Sequence, residues 1–291
     1  MTRTIHSPVT RTRPRRFGGF IAGSLVLGMI AAGSAWAGVT VTATGSSASA
    51  EISLAGGIEA DLKLDFSSVS NLSVSSLGID AQLVSVSDPA LLARLPDVSL
   101  VTLSSAFPVL ITVEPPAAGG LEFENTVSVQ IHTENLVYSS GTRLRLFKAP
   151  LDGAFVDVTE SVEPGSVRTR GRTGAFSQFL ILLDLRTSTD VADGKYASLE
   201  ARLADATSLA TADRLELEAR LDSSLAHYVQ GDYVDAIAEL DAFRARVAEL
   251  SGLSIANVWR AGGSLSNVAG DLAGTAASLK FTLGVLRDGG S

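Results

Sequence analysis

Cysteine is absent from this chain. Disulfides, thiolate metal sites, cysteine nucleophiles and lipid attachment to an N-terminal cysteine are therefore excluded, and packing alone must hold the fold. Aromatics are scarce, at 6% of residues. Between residues 38 and 189 there is no Trp and one Tyr, Tyr138; a sugar platform needs exposed Trp or Tyr, so this region argues against a lectin. Histidine is nearly missing too. Beyond residue 37 only His132 and His227 remain, and neither sits in a recognisable motif. A metal pair or a Ser-His-Asp array is conceivable, but structural histidines are the simpler reading. No G-x-S-x-G, Walker, G-x-G-x-x-G or EF-hand calcium loop occurs beyond residue 37, which leaves no motif for nucleotide, dinucleotide or calcium binding. No cofactor and no metal is implied. Asp152 and Asp157 are the one acidic pair that suggests an oxygen-ligand site at a strand edge.

The first 37 residues lack acids altogether, and they read as a targeting segment. Arg3, Arg11, Arg13, Arg15 and Arg16 form a basic start, an apolar stretch follows from Phe20 to Ala32, and Ala35-Trp36-Ala37 supplies a small-residue cleavage site before Gly38. The alternative is an uncleaved anchor, since Phe17 to Trp36 is nearly long enough to span; its five glycines favour cleavage. Arg15-Arg16 hints at twin-arginine export, though the residues after the pair fit that signal poorly. No later run reaches the roughly 18 apolar residues of a membrane helix, so no integral membrane segment is expected after cleavage.

Loss of the segment changes the charge. The whole chain has 23 basic and 31 acidic residues; without the five arginines the balance is 18 against 31, net −13. An acidic exported chain is a poor binder of nucleic acid or anionic lipid. At 291 residues, 46% hydrophobic and 19% charged, it is globular and long enough for one large or two medium cores.

Between 38 and 189 the apolar period is two. In GIEADLKLDF, Ile58, Ala60, Leu62, Leu64 and Phe66 alternate with charged residues; Phe107, Val109, Ile111 and Val113 repeat the pattern, as do Val127, Val129 and Ile131. Turn signals at Gly56-Gly57, Asp88-Pro89, Gly119-Gly120, Asp152-Gly153 and Pro164-Gly165 cut the region into short strands, and so predict an antiparallel β-sandwich. A β-solenoid is the runner-up for the Ser-rich 67–87, without a fixed period to support it. In residues 144–184 a strand, a "DVT" strand and a closing strand with Phe176, Ser177 and Phe179 follow one another. This stretch resembles the closing strands of Ig-like or ZU5-like sandwiches. Phe179 to Leu183 is a continuous apolar run, as in a strand buried on both faces.

After Arg186–Thr189 the period becomes about 3.6. A helix from Thr211 carries Leu217, Leu221, Leu225 and Tyr228, and Gly231 ends it. Asp232 N-caps a second helix with Ile237, Leu240, Phe243, Val247 and Leu250 inward, stopped by Gly252. Ser254 is expected to cap a last helix striped by Leu265, Ala269, Leu272, Ala276, Leu279, Leu283 and Leu286. Short connections predict an antiparallel helical bundle. LEARLDSSLAHYVQGDYVDAIAELDAFRARVAELSG, within 194–281, resembles the FIMAH and FIVAR helical modules. Across its length the chain is similar to an uncharacterised family of secreted proteobacterial proteins. These resemblances imply an interaction or spacer role and no chemistry.

The expected organisation is α+β as separate parts: signal peptide 1–37, Ig-like β-sandwich 38–189, FIMAH-like bundle 190–291. Charge singles out one feature. Residues 38–141 hold 2 basic and 11 acidic residues, whereas 142–173 hold 6 and 4. Arg168, Arg170 and Arg172 alternate and so share one strand face, and Arg143 and Arg145 do likewise nearby. They are the candidate docking residues, for an anionic partner or for 190–291, which holds 9 basic and 15 acidic residues; a solvated strand face is the plain alternative. The functional expectation is an exported, non-catalytic interaction or structural protein of the periplasm or cell surface, with an unknown envelope or extracellular protein as partner. The alternatives are a secreted hydrolase, or its accessory, whose site assembles from distant residues, and a surface-assembly subunit.

Overall fold

The computed structural model describes residues 38–207, 209–263 and 265–289. Residues 1–37, the expected targeting segment, lie outside them. In chain order the elements are β1 (Gly38–Thr44), β2 (Ser47–Leu54), β3 (Ile58–Ser70), the one-turn α1 (Val74–Leu77), β4 (Ile79–Leu83), the one-turn α2 (Pro89–Leu92), β5 (Val101–Leu103), β6 (Val109–Val113), β7 (Glu122–Val137), β8 (Leu144–Ala149), β9 (Val156–Asp157), β10 (Thr159–Glu163), β11 (Ser166–Thr173) and β12 (Gln178–Asp184). Then follow α3 (Ser188–Asp205), α4 (Thr211–Gln230), α5 (Tyr233–Leu250), β13 (Val258–Arg260) and α6 (Val268–Arg287). The fold is mixed α+β, with two antiparallel sheets followed by a helical region.

The first sheet has the order β1-β2-β3-β7-β11-β10, with β13 also on β7; the second has β4-β6-β12-β8-β9, with β5 also on β12. Alternation along β3 and β7 sends Leu62, Leu64, Val129 and Ile131 to one side, where they share a buried cluster with Ile111 of β6 and Phe179 and Ile181 of β12. The other side of the second sheet is also covered: Leu110, Phe147, Leu180 and Leu182 are buried under Leu91 and Phe155. β12 is therefore buried on both faces, as its apolar run predicts. β6 departs from simple alternation for the same reason, since Leu110 between Val109 and Ile111 has a second core to enter. The Ser-rich 67–87 is not a solenoid. It forms the end of β3, a turn whose Ser73 caps α1 by accepting from the Ser76 amide, and β4.

In the helical region α4 and α5 have the expected bounds. Gly231 closes α4 at φ 81, a left-handed conformation that glycine adopts without a Cβ penalty. Leu217, Leu221, Leu240, Phe243 and Val247 are buried together with Leu199 of α3 and Leu272, Leu279 and Leu283 of α6. Two expectations are corrected. Ser254 caps no helix: it lies in the turn after α5 and its hydroxyl donates to Asp213 Oδ2 at 3.0 Å. α6 begins later, where the Asn267 side chain accepts from the Gly270 amide, so Leu265 lies outside the helix and is exposed. The intervening residues form β13, which pairs Val258, Trp259 and Arg260 with Glu124, Phe123 and Glu122 of β7. Trp259 thus belongs to the first sheet, stacked on Phe123 at 5.2 Å with Phe176 edge-on at 5.4 Å. No helix among the described residues is long and apolar enough to cross a membrane.

Candidate functional site

Antiparallel register decides which polar side chains meet on the outward face of the first sheet, because residues directly opposite share a face. One row across five strands is Glu51, Asp61, His132, Arg168 and Glu163. The next is Ser49, Lys63, Gln130, Arg170 and Ser161, and a third is Ser47, Asp65, Ser128 and Arg172. The alternate residues of β11 point into the protein, where Val167 and Thr169 are fully buried. The three arginines accordingly share the outward face.

They do not stand as bare cations. Arg168 and Arg170 divide one carboxylate, Glu163, at 3.7 and 3.6 Å, and Arg170 Nη2 donates to Gln130 Oε1 at 2.7 Å. Arg172 reaches Glu160 at 3.3 Å. Three guanidinium groups on β11 thus face two carboxylates on β10. On β2 and β3, Glu51, Glu59, Asp61 and Asp65 accompany the single Lys63. The face is basic at one side and acidic at the other. Asp65 shows their coupling: partial burial pushes its carboxyl up, but hydrogen bonds from Lys63 and Ser47, with Lys63 and Arg170 charge nearby, hold it below the usual carboxylate range.

Arg143 and Arg145 are elsewhere. Arg143 Nη1 donates to the Arg186 carbonyl at 2.9 Å. Arg145 donates to the Thr142 and Leu144 carbonyls at 2.8 Å and lies over the Phe281 ring of α6 at 5.1 Å. Both line a groove of about 770 Å³ beside α6, together with Arg244, Lys280 and Arg287. The five sequence candidates therefore occupy two places, the outward face and this groove.

The outward face holds an arrangement that sequence spacing did not reveal. His132 Nδ1 is 2.9 Å from Asp61 Oδ2, and its Nε2 is in hydrogen-bond contact with the Ser166 hydroxyl. With the ring neutral and Nδ1–H donated to Asp61, Nε2 accepts from Ser166, the proton arrangement that activates a serine. Each residue comes from a different strand, β3, β7 and β11, which is why no local motif marks it. Asp61 is 62% exposed, so water screens its effect on the ring. The groove beside the pair is bordered by Glu51, Glu59 and Glu134.

His227 lies on α4, far in sequence from any such array, and its Nδ1 is buried without a hydrogen-bond partner among the described residues. Asp152 and Asp157 are not brought together as a cation site. Asp152 sits at φ 58 in an exposed turn, while Asp157 is buried against Lys195, 2.6 Å away. Among the described residues no group of three or more His, Cys, Asp or Glu is placed to hold a metal ion.

The chain belongs to a family of unknown function (DUF6689), whose model matches residues 25–287. No curated protein matches the chain.

Proposed function

We propose that this chain is an exported, non-catalytic interaction or structural protein of the bacterial envelope, in the periplasm or at the cell surface, which docks an envelope or extracellular protein on the outward face of its first sheet. In this reading the two sheets are an Ig-like sandwich and the helices a FIMAH-like antiparallel bundle that attaches a partner. The cluster shared by both sheets supports the sandwich. Four mutually packed helices support the bundle. Export is supported by the basic start and by Ala35-Trp36-Ala37, directly ahead of the Gly38 that opens β1.

The observation that carries the docking role is the outward face itself: three aligned rows of polar side chains, basic on β11 and acidic on β3, held on rigid strands. Such a charge-separated face orients an approaching partner and gives specificity more than raw affinity. The test is simultaneous Arg168→Ser, Arg170→Ser and Arg172→Ser. Each exposed pair is worth only about 0–1 kcal/mol, so thermal stability should stay close to that of the parent. Capture of the partner from envelope extracts should fall, and the parent's capture should weaken with added salt. Unchanged, salt-insensitive capture by the folded variant would reduce the face to a solvated surface.

A second reading, a secreted hydrolase, is favoured by the Asp61–His132–Ser166 contacts. It calls for turnover of a chromogenic ester that is lost in Ser166→Ala and in His132→Gln, with both variants folded. Equal hydrolysis by parent and Ser166→Ala would leave this array as a surface hydrogen-bond chain.

A further inference from the structure

Where α3 and α6 pack beside β8, β9 and β11, they line a partly open cavity of about 180 Å³. Its wall carries five basic side chains and two acidic ones, and their pairing is uneven. Lys195 is taken by Asp157 at 2.6 Å, Arg186 by Asp184 at 2.6 Å and Arg172 by Glu160 at 3.3 Å. Arg202 reaches Asp271 at 3.5 Å through Nη1, and its Nε is buried without any hydrogen-bond partner among the described residues.

Lys148 is the odd member. Among the described residues no carboxylate lies within ion-pair distance of its Nζ, which donates to Thr173 Oγ1 at 2.7 Å. That hydroxyl already donates to the Ala175 carbonyl at 3.0 Å and accepts from the Ala175 amide at 3.3 Å. An ammonium has three donors, so Lys148 brings two unspent ones to the cavity wall. Lys148 is half-buried, so the cavity is where those donors can be met.

We propose that this cavity is a binding site for a small oxyanion, a phosphate or a carboxylate group, recognised by Lys148. The volume equals that of about six waters, enough for an oxyanion with at most a small substituent. Asp157 does not oppose it, being neutralised by Lys195, and Asp271 is matched by Arg202. Val156 and Gly194 of its lining are exposed and the Arg202 side chain is 37% exposed, so the cavity opens to solvent. The bound anion would join the strands to α3 and α6.

The amine of Lys148 supports the assignment. Burial lowers it to about 8, with Asp271 and Glu114 drawing it up and Arg202 pressing it down. A bound anion favours the ammonium, so binding near pH 8 should take up a proton and should weaken as the pH rises further.

The experiment is calorimetric titration of the full-length protein with inorganic phosphate, acetate and sulfate. Phosphate against acetate tells the two oxyanion classes apart. Sulfate stays fully ionised, so its pH dependence reports the protein alone. At least one anion should bind, with a heat that near pH 8 depends on the ionisation heat of the buffer. Lys148→Met should weaken binding roughly tenfold to hundredfold. Lys148→Arg should keep binding and lose the proton uptake. Should Lys148→Met not fold, the buffer dependence of the parent decides. Failure of all three anions to bind, undiminished binding by folded Lys148→Met, or a buffer-independent heat in the parent would overturn the proposal.

Discussion

Lys195 leaves α3 to reach a strand, and the ion pair it makes there is of the kind whose removal is felt. Its Nζ donates to Asp157 Oδ2 at 2.6 Å, to Thr282 Oγ1 at 2.9 Å and to the Ser278 carbonyl at 3.2 Å, so all three donors are used. Asp157 in turn accepts from the Thr159 amide at 2.8 Å. Both side chains are almost wholly inaccessible, at 8% and 3%. A pair so buried contributes little net stability when intact, because desolvation offsets attraction, but breaking it strands a charge. Lys195→Met should therefore cost about 3–5 kcal/mol, measured by denaturant unfolding. Lys195→Met with Asp157→Leu should cost less than the single change.

The pH dependence has a definite sign. Burial raises the Asp157 carboxyl, and the Lys195 ammonium with the Thr159 hydrogen bonds outweighs it, leaving it below the ordinary 3.8. A depressed folded value means stability that is complete above 3.8 and lost as the pH falls through the lower folded value. Asp157→Asn should remove that part of the acid sensitivity, so its unfolding free energy should fall less steeply below pH ~4 than the parent's. An identical slope would show that other carboxylates govern acid unfolding.

At the scale of elements, α6 has two faces with opposite requirements. Its leucine stripe enters the helical core, whereas Gly270 and Gly274 lie against strand backbone. A Cβ on Gly274 would stand 2.5 Å from the Arg172 carbonyl oxygen, and one on Gly270 would overlap the Asn125 carbonyl oxygen. Gly274→Ala should thus destabilise by about 1–3 kcal/mol, as an overpacking change. Gly284→Ala, on the same helix with nothing within 4 Å, should stabilise by about 0.4–1 kcal/mol through helix propensity and a stiffer unfolded chain. Thermal unfolding of the pair separates the close approach from propensity. On the other face Leu240→Ala of α5, a fully buried position, should cost about 2–5 kcal/mol.

This contrast marks what the sequence discloses. β3, β7, α4 and α5 were legible because one face of each is apolar and the other polar, so period alone reports them. The second face of α6 was not, since Gly270, Gly274 and Ser278 give no hydrophobic signal and their role is to let backbone approach. β13 is three residues long, too short for any period. The arginine face was legible along β11, where alternation suffices. Asp61, His132 and Ser166 were not joined in sequence because cross-strand register, fixed by tertiary pairing, brings them together. Lys148 stands in an apolar strand, LRLFKA, which was a usable signal; its lack of a carboxylate partner was not.

At the scale of the whole molecule, the helices and sheets are tied by more than a connecting turn. The described residues all fall within one compact unit. Within it β13 extends the first sheet from between two helices, and Asn267 of the α6 cap donates to the Gly174 carbonyl at 3.0 Å and also contacts the Asn125 carbonyl. Lys195 and Ser278 bind Asp157 from α3 and α6. The helical region has its own contiguous core, so residues 190–291 expressed alone should still show cooperative helical unfolding. They should do so at lower stability, because the glycine face of α6 and the indole of Trp259 would lose their partners.

Trp259 makes this measurable, being the sole tryptophan of residues 38–291. In the full chain it lies among Phe123 and Phe176, so its emission should be that of an apolar site; in the isolated 190–291 segment it should shift to the red. Heating residues 38–291 should give coincident transitions by helical circular dichroism and by tryptophan emission, since both report one cooperative unit. Two separated transitions, with the emission change preceding loss of helix, would mean that β13 peels from β7 before the helices melt and that the helical region is an independent domain. Phe123→Ala, which removes the ring stacked on Trp259, should in either case move the emission transition to lower temperature, the cost of a large-to-small change at a fully buried aromatic being about 3–5 kcal/mol. Only in a single cooperative unit will the helical transition move down with it.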